Sequence, residues 1–179
     1  EYFNIPFDNL FSYPILISHL KNKHSGLLEN LVVVSPDEGG AKRVGALQRR
    51  LGRESIGAEM AICYKKRAGE NNIGEVKVMG EVDGRDCLVL DDIIDTGGTM
   101  VETAKTLKNN GAMKIIAYGT HGLFTDGFEK FNIFDRVIVS DTLYNEQSSN
   151  LEIMPLVDLF GEAIYRTIVG ESLSSLFDN

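Results

Sequence analysis

Short apolar runs separated by longer mixed stretches set the pattern of this chain. Leu31 to Ser35, Cys87 to Asp91, Lys114 to Tyr118 and Arg136 to Ser140 are brief and rich in β-branched residues, so each is predicted to be a strand. Between them, Thr99 to Asn110 places Val101, Ala104, Lys105 and Leu107 at helical spacing and runs into Asn-Asn-Gly. That pattern predicts a helix with Gly111 just past its C-cap. Gly39 to Leu51 is a second helix candidate, stopped by Gly52. Strands alternating with helices imply crossover units, hence an α/β fold with a mostly parallel sheet flanked by helices and a ligand site at the carboxyl ends of the strands.

Two segments depart from this rhythm. Ala58 to Val82 holds an apolar piece, then Tyr64-Lys65-Lys66-Arg67, a polar Gly/Asn-rich stretch to Gly74, and an alternating piece from Glu75. It is expected to be a strand pair joined by a long, mobile loop of the kind that often serves as a lid. Near the N-terminus, Pro6 and Pro14 flank an apolar run to Leu20, expected to lay one helix on the sheet, with His19 and His24 on its surface.

Composition narrows the classes. A chain of 179 residues has the size of one domain, spanning 1–179, and its 43% hydrophobic and 25% charged content is that of an ordinary soluble protein. Its apolar runs are far too short for a membrane span. No basic-then-apolar leader is visible, and the start at Glu1 rather than Met suggests a fragment. Cys63 and Cys87 lie inside apolar, strand-like runs and read as buried small hydrophobes in a reducing, cytoplasmic setting. A net charge of -8 disfavours a nucleic-acid partner. An anionic ligand would need a site that is locally basic.

The chemistry concentrates at two strand ends. Leu88-Val89-Leu90-Asp91-Asp92-Ile93-Ile94-Asp95-Thr96-Gly97-Gly98-Thr99 is a strand running into paired acids and then a Gly-Gly turn that opens a helix. Such a turn directs successive N–H groups outward at the positive end of a helix, which makes a phosphate cradle. Gly97 and Gly98 permit close approach, Thr96 and Thr99 add hydroxyl donors, and Asp91 and Asp92 can accept hydrogen bonds from ribose hydroxyls or help hold a metal. This string resembles the signature loop of the phosphoribosyltransferase superfamily.

The second end is Leu31-Val32-Val33-Val34-Ser35-Pro36-Asp37-Glu38-Gly39-Gly40-Ala41-Lys42-Arg43. Gly39 and Gly40 offer another anion-binding turn, Asp37 can face Mg²⁺ through water, and Lys42 or Arg43 supplies charge. As a string it resembles the pyrophosphate loop of the ribose-phosphate pyrophosphokinases. The resemblance continues through Tyr118 to Phe124, Ser140-Asp141-Thr142 and Glu171 to Phe177, covering nearly the whole chain and matching the family's C-terminal domain.

That resemblance implies transfer of the diphosphoryl group of ATP to ribose 5-phosphate. Lys65 and Arg67 would be the catalytic cations, and Asp91, Asp92, Asp95, Thr96, Gly97, Gly98 and Thr99 would hold ribose 5-phosphate. Asp37, Gly39, Gly40 and Arg43 would form the diphosphate loop, with Mg²⁺ at Asp37. It also implies a homo-oligomer and a missing N-terminal half, so that the chain alone would bind ribose 5-phosphate without turning over. Tyr64 and the stretch Ala68 to Asn72 depart from the family's usual loop. A small phosphoribosyltransferase and a non-catalytic regulatory homologue are the competing readings.

Overall fold

In a computed structural model the chain folds around a seven-stranded sheet of order β3-β2-β1-β4-β5-β6-β7. The structure describes residues 4–5, 7–68 and 72–176, apart from the side chains of 65–68 and 72–75. The strands are β1 Leu31–Ser35, β2 Ala58–Ala68, β3 Asn72–Met79, β4 Asp86–Ile94, β5 Ile115–Gly122, β6 Arg136–Ser140 and β7 Leu151–Met154. All neighbours run parallel except β2 and β3, which form an antiparallel pair at one edge. The helices are α1 Tyr13–Lys23, α2 Ala41–Arg53, α3 Gly98–Asn109 and α4 Val157–Val169.

The period of two within each strand sorts the core into two layers. Leu31, Val33, Leu88, Leu90, Tyr118 and Ile138 face α1 and α2, where Leu16, Leu20, Val44 and Leu47 meet them. Val32, Val34, Val89, Ala117, Val137 and Val139 face the other way, onto Met100, Ala104 and Leu107 of α3 and onto Phe131 and Phe134. Strands buried on both faces read as unbroken apolar runs, which is why their positions were visible in the sequence.

Two expectations need correction, and two elements were not expected. The long connection within 58–82 is mostly strand: pairing of Lys65 with Val76, Lys66 with Glu75 and Ala68 with Asn72 carries the ladder through the charged residues, with an irregularity between Lys66 and Ala68. An edge hairpin tolerates such side chains because they need not be buried. What remains of the predicted loop, residues 69–71, lies outside the described residues. Helix α2 passes through Gly52 to Arg53, and the positive-φ residue beyond its end is Ser55 (φ 60). Strand β7 and helix α4 were not foreseen at all.

Cys63 and Cys87 are free and buried, as expected. Burial pushes the Cys63 thiol up to about 11 and, with the charge of Asp86 adding, the Cys87 thiol to about 12. A colorimetric thiol reagent should therefore find no reactive thiol in the native chain at pH 8 and two after denaturation. Rapid labelling of the native chain would contradict this packing. Among the described residues, no helix is long and apolar enough to cross a membrane.

Candidate phosphate and ribose site

Chain connections leave β1 toward β2 on one side and leave β4 toward β5 on the other, so the order reverses between β1 and β4. The carboxyl ends of the two strands there open a crevice, the usual ligand position in such sheets. Both glycine turns singled out in the sequence fall at this switch point: 36–40 after β1 and 95–97 after β4.

After β4, Gly97 is the N-cap of α3 in the left-handed region (φ 71, ψ 5). A Cβ there would lie 2.1 Å from Cζ of the fully buried Phe131. Gly97 is therefore required both by its backbone and by the ring beneath it. At Gly98 a Cβ would meet nothing within 4 Å. Thr96, Gly98 and Thr99 are exposed at the start of the helix, where α-helical N–H groups lack intrahelical partners. Lys130 Nζ donates to the Thr96 carbonyl at 2.8 Å, and the Thr125 hydroxyl donates to Asp95 Oδ1.

After β1, the Gly40 N–H donates to Asp37 Oδ1 at 2.9 Å and the Ser35 hydroxyl to the Asp37 carbonyl at 2.6 Å, closing the turn. A Cβ on Gly40 would sit 2.5 Å from that same Ser35 hydroxyl. Thr103 of α3 is buried and reaches the Pro36 carbonyl at 3.5 Å, which fastens one turn to the helix that the other turn opens.

Arg43 joins the two strand ends. Its Nη1 lies 2.8 Å from Asp91 Oδ1 and its Nη2 2.7 Å from Asp92 Oδ2, while Lys42 is exposed. The sequence left open whether Lys42 or Arg43 supplies charge beside the 36–40 turn; Arg43 is the one turned inward, and its pairing with the acids was not foreseen. Burial pushes Asp91 up to about 6, with its contact to Asp92 adding and the Arg43 guanidinium opposing. At Asp92 burial acts upward too, but the Asp91 contact and Arg43 outweigh it and hold the carboxyl below its ordinary range. One acid of the pair thus carries its charge easily and the other reluctantly.

Beside this pair is a cleft of about 260 Å³ lined by Leu10, Ser12, Arg43, Asp91, Thr120 and His121, among others. Ser12 approaches both the buried Tyr118 hydroxyl and Thr120 Oγ1, and His121 Nδ1 lies 2.8 Å from Thr142 Oγ1. Thr120 and His121 are thus tied into a local network while facing the cleft. Of the predicted residues, Asp37, Gly39, Gly40, Arg43, Asp91, Asp92, Asp95, Thr96, Gly97, Gly98 and Thr99 stand around the one switch point. The backbone of Lys65 and Arg67 belongs to β2, next to β1; their side chains lie outside the described residues. Sequence reasoning missed Ser12 and Lys130, whose only signal is position in space.

A seven-stranded doubly wound sheet with two glycine turns at its switch point, joined by an arginine and an acid pair, defines an α/β protein with its candidate site in that crevice. Residues 65–178 match the model of the phosphoribosyl synthetase-associated domain, and the chain belongs to that family. It is 42% identical to the ribose-phosphate pyrophosphokinase of Chlorobaculum tepidum over 99% of its own length and 54% of that protein's. To the ribose-phosphate pyrophosphokinase of Thermotoga maritima it is 39% identical, covering 98% of this chain and 56% of that one. The crystal structure of phosphoribosylpyrophosphate synthetase from Mycobacterium smegmatis superposes with a TM-score of 0.78 at 27% identity, covering 94% of this chain and 54% of the other. The chain thus spans about half the length of the curated relatives it matches.

Proposed function

We propose that this chain supplies the ribose 5-phosphate site of a ribose-phosphate diphosphokinase, which transfers the diphosphoryl group of ATP to the anomeric hydroxyl and releases AMP. The observation that carries this reading is the turn at 95–97, with Gly97 opening α3 beside the Arg43-bridged acids at the switch point. The helix start and the Thr96 and Thr99 hydroxyls take the 5-phosphate, Asp91 and Asp92 take the ribose hydroxyls, and Asp95, which accepts from Thr125, fixes the turn between them. In the transfer, the anomeric hydroxyl gives its proton to water and its oxygen bonds to the β-phosphorus as the bond from that phosphorus to the α,β-bridging oxygen breaks, and AMP leaves with the electron pair. Lys65 and Arg67 stabilise the charge on the equatorial oxygens, and the turn at 37–40 receives the diphosphate.

Mg²⁺ suits this donor set, because Asp37, Asp91 and Asp92 bring hard carboxylate oxygens to the ends of two adjacent strands. When bound, it offsets phosphate charge. Asp37 would hold it, with the substrates' own oxygens completing its shell. Turnover requires the part of the enzyme that corresponds to the rest of the relatives' length. A cytoplasmic setting fits the unpaired cysteines. Homo-oligomer formation is part of the same reading, supported by Val157, Phe160, Ile164 and Ile168, which form an exposed apolar stripe along α4.

Calorimetric titration with ribose 5-phosphate and Mg²⁺ should show binding to the chain. Asp95→Ala should weaken it at least ~10-fold while keeping the melting temperature, since Asp95 is only half-buried. With ATP added, AMP release measured by mass spectrometry should be absent from the chain alone. Unchanged affinity in Asp95→Ala, or no binding at any usable concentration, would overturn the assignment.

A further inference from the structure

The one group of histidine and carboxylate ligand atoms that converges among the described residues lies away from this crevice. His19 and His24, expected on the surface, instead both meet Glu152 of β7. His19 Nε2 is 3.0 Å from Glu152 Oε1 and His24 Nε2 is 2.8 Å from Glu152 Oε2, with all three ligand atoms within 4.8 Å of one another. Two residues five apart on a continuing helix would point about 140° apart. Here α1 ends at Lys23, and His24 takes the C-cap conformation (φ -133, ψ 36), which lets its ring come back to the same carboxylate.

The cluster is largely enclosed. His19 is 9% exposed and its Nε2 is fully buried, 3.0 Å from Glu152 Oε1 but poorly aligned for a hydrogen bond. A ring nitrogen so close to a carboxylate is satisfied either by a proton held between them or by a metal ion. A divalent cation between them would satisfy the imidazole lone pairs and the carboxylate together. We propose that His19, His24 and Glu152 form a site for a zinc-type divalent transition cation, which clasps the end of α1 to edge strand β7.

The donor chemistry fits: two imidazoles and one carboxylate suit zinc-class ions and leave a fourth position for water. Bonds of ~2.0–2.2 Å in a tetrahedron put ligand atoms ~3.4 Å apart, so the two contacts to Glu152 need to open by about half an ångström, and the two imidazole nitrogens need to come to that spacing from within 4.8 Å of one another. Burial, against the pull of Glu152, keeps His19 below its ordinary range. At Glu152 burial acts upward, but hydrogen bonds from Lys23 and His24 and the histidine charges hold it at about 2. Lys23 Nζ also reaches Glu152 Oε1, at 3.0 Å, and is the group the cation displaces; its side chain is 56% exposed and can swing into water.

The test uses the chain freed of any affinity tag and stripped by chelation, then titrated with Co²⁺ as a visible stand-in for Zn²⁺. Stoichiometric binding should give the intense visible bands of a four-coordinate site, displaced by Zn²⁺. The chain has three histidines, so the ring proton resonances can be followed singly: those of His19 and His24 should respond at one equivalent and that of His121 should not. His24→Gln and Glu152→Gln should each weaken binding about 100-fold. Zn²⁺ at hundredfold excess over its dissociation constant should raise the melting temperature of the wild type by roughly 7 °C and not that of the variants. Affinity unchanged in both variants, which would put the metal on the carboxylates near Arg43, overturns the proposal. So does the absence of binding up to millimolar Co²⁺, which would leave an ion-pair cluster only.

Discussion

Gly97→Ala is expected to destabilise the chain by ~3 kcal/mol, lowering the melting temperature by roughly 8 °C. Two independent terms contribute. Gly97 sits at φ 71, where a side chain costs about 1–2 kcal/mol. Its added methyl would also fall 2.1 Å from Cζ and 2.6 Å from Cε1 of Phe131. That ring cannot give way easily, because it is fully buried and packs against Phe124, Phe128 and Phe134, and overpacking of this kind costs about 1–3 kcal/mol. Gly98→Ala is the control: its Cβ enters open space and its φ is not positive, so the melting temperature should move by only a degree or two. If a phosphate seats on this turn, Gly98→Ala should nonetheless weaken ribose 5-phosphate binding, separating a glycine needed by the fold from one needed by the ligand. Thermal and urea denaturation of both variants decide the matter. A Gly97→Ala chain as stable as the wild type would mean that the turn is not held as described.

The parts of this fold that were legible in the sequence are those where one local pattern suffices. β1 and β6 were predicted at their observed bounds because a strand buried on both faces is a bare apolar run. The turn at 95–97 was legible because a Gly-Gly pair between an apolar run and a helical pattern marks the opening of a helix. What escaped depends on partners distant in the chain. β7 is four residues long with Glu152 inside it, so nothing in its composition announces a strand. α4 has Leu156 as its N-cap, with no side-chain cap, contains Gly161 and turns much of its apolar stripe outward, which blurs both its start and its face. The histidines of α1 were misread for the same reason: the carboxylate that draws them inward lies 128 positions from His24. In the hairpin, Lys65 to Arg67 looked like a loop because charge was taken to mean the absence of a ladder, whereas an edge pair requires only backbone partners.

Arg43→Gln should produce a deficit that grows with pH: ~2 kcal/mol at pH 8 and well under half of that at pH 5. Burial holds the Asp91 carboxyl at about 6, above its ordinary 3.8, so its ionisation works against folding. The folded state binds the extra proton between those values, and stability must fall as pH rises through that window. In the wild type the guanidinium, 2.8 Å from Asp91 and 2.7 Å from Asp92, limits the fall. Without it Asp91 shifts further upward and the window extends toward neutrality. Asp92, held below its ordinary range partly by the same cation, loses a contribution already nearly complete at pH 5, which adds a small offset common to both pH values. The pH dependence therefore comes from Asp91. The magnitude stays modest because Asp92 is 59% exposed and solvent screens it. Urea denaturation of wild type and Arg43→Gln at pH 5 and 8 tests the sign, and adding Asp91→Asn to the variant should recover most of the loss at pH 8. A deficit larger at pH 5 would mean that Arg43 acts by packing rather than by charge. Binding then distinguishes the fold from the site: Asp91→Asn in the Arg43→Gln background restores stability without restoring a cation to the crevice, so affinity for phosphate ligands should stay low.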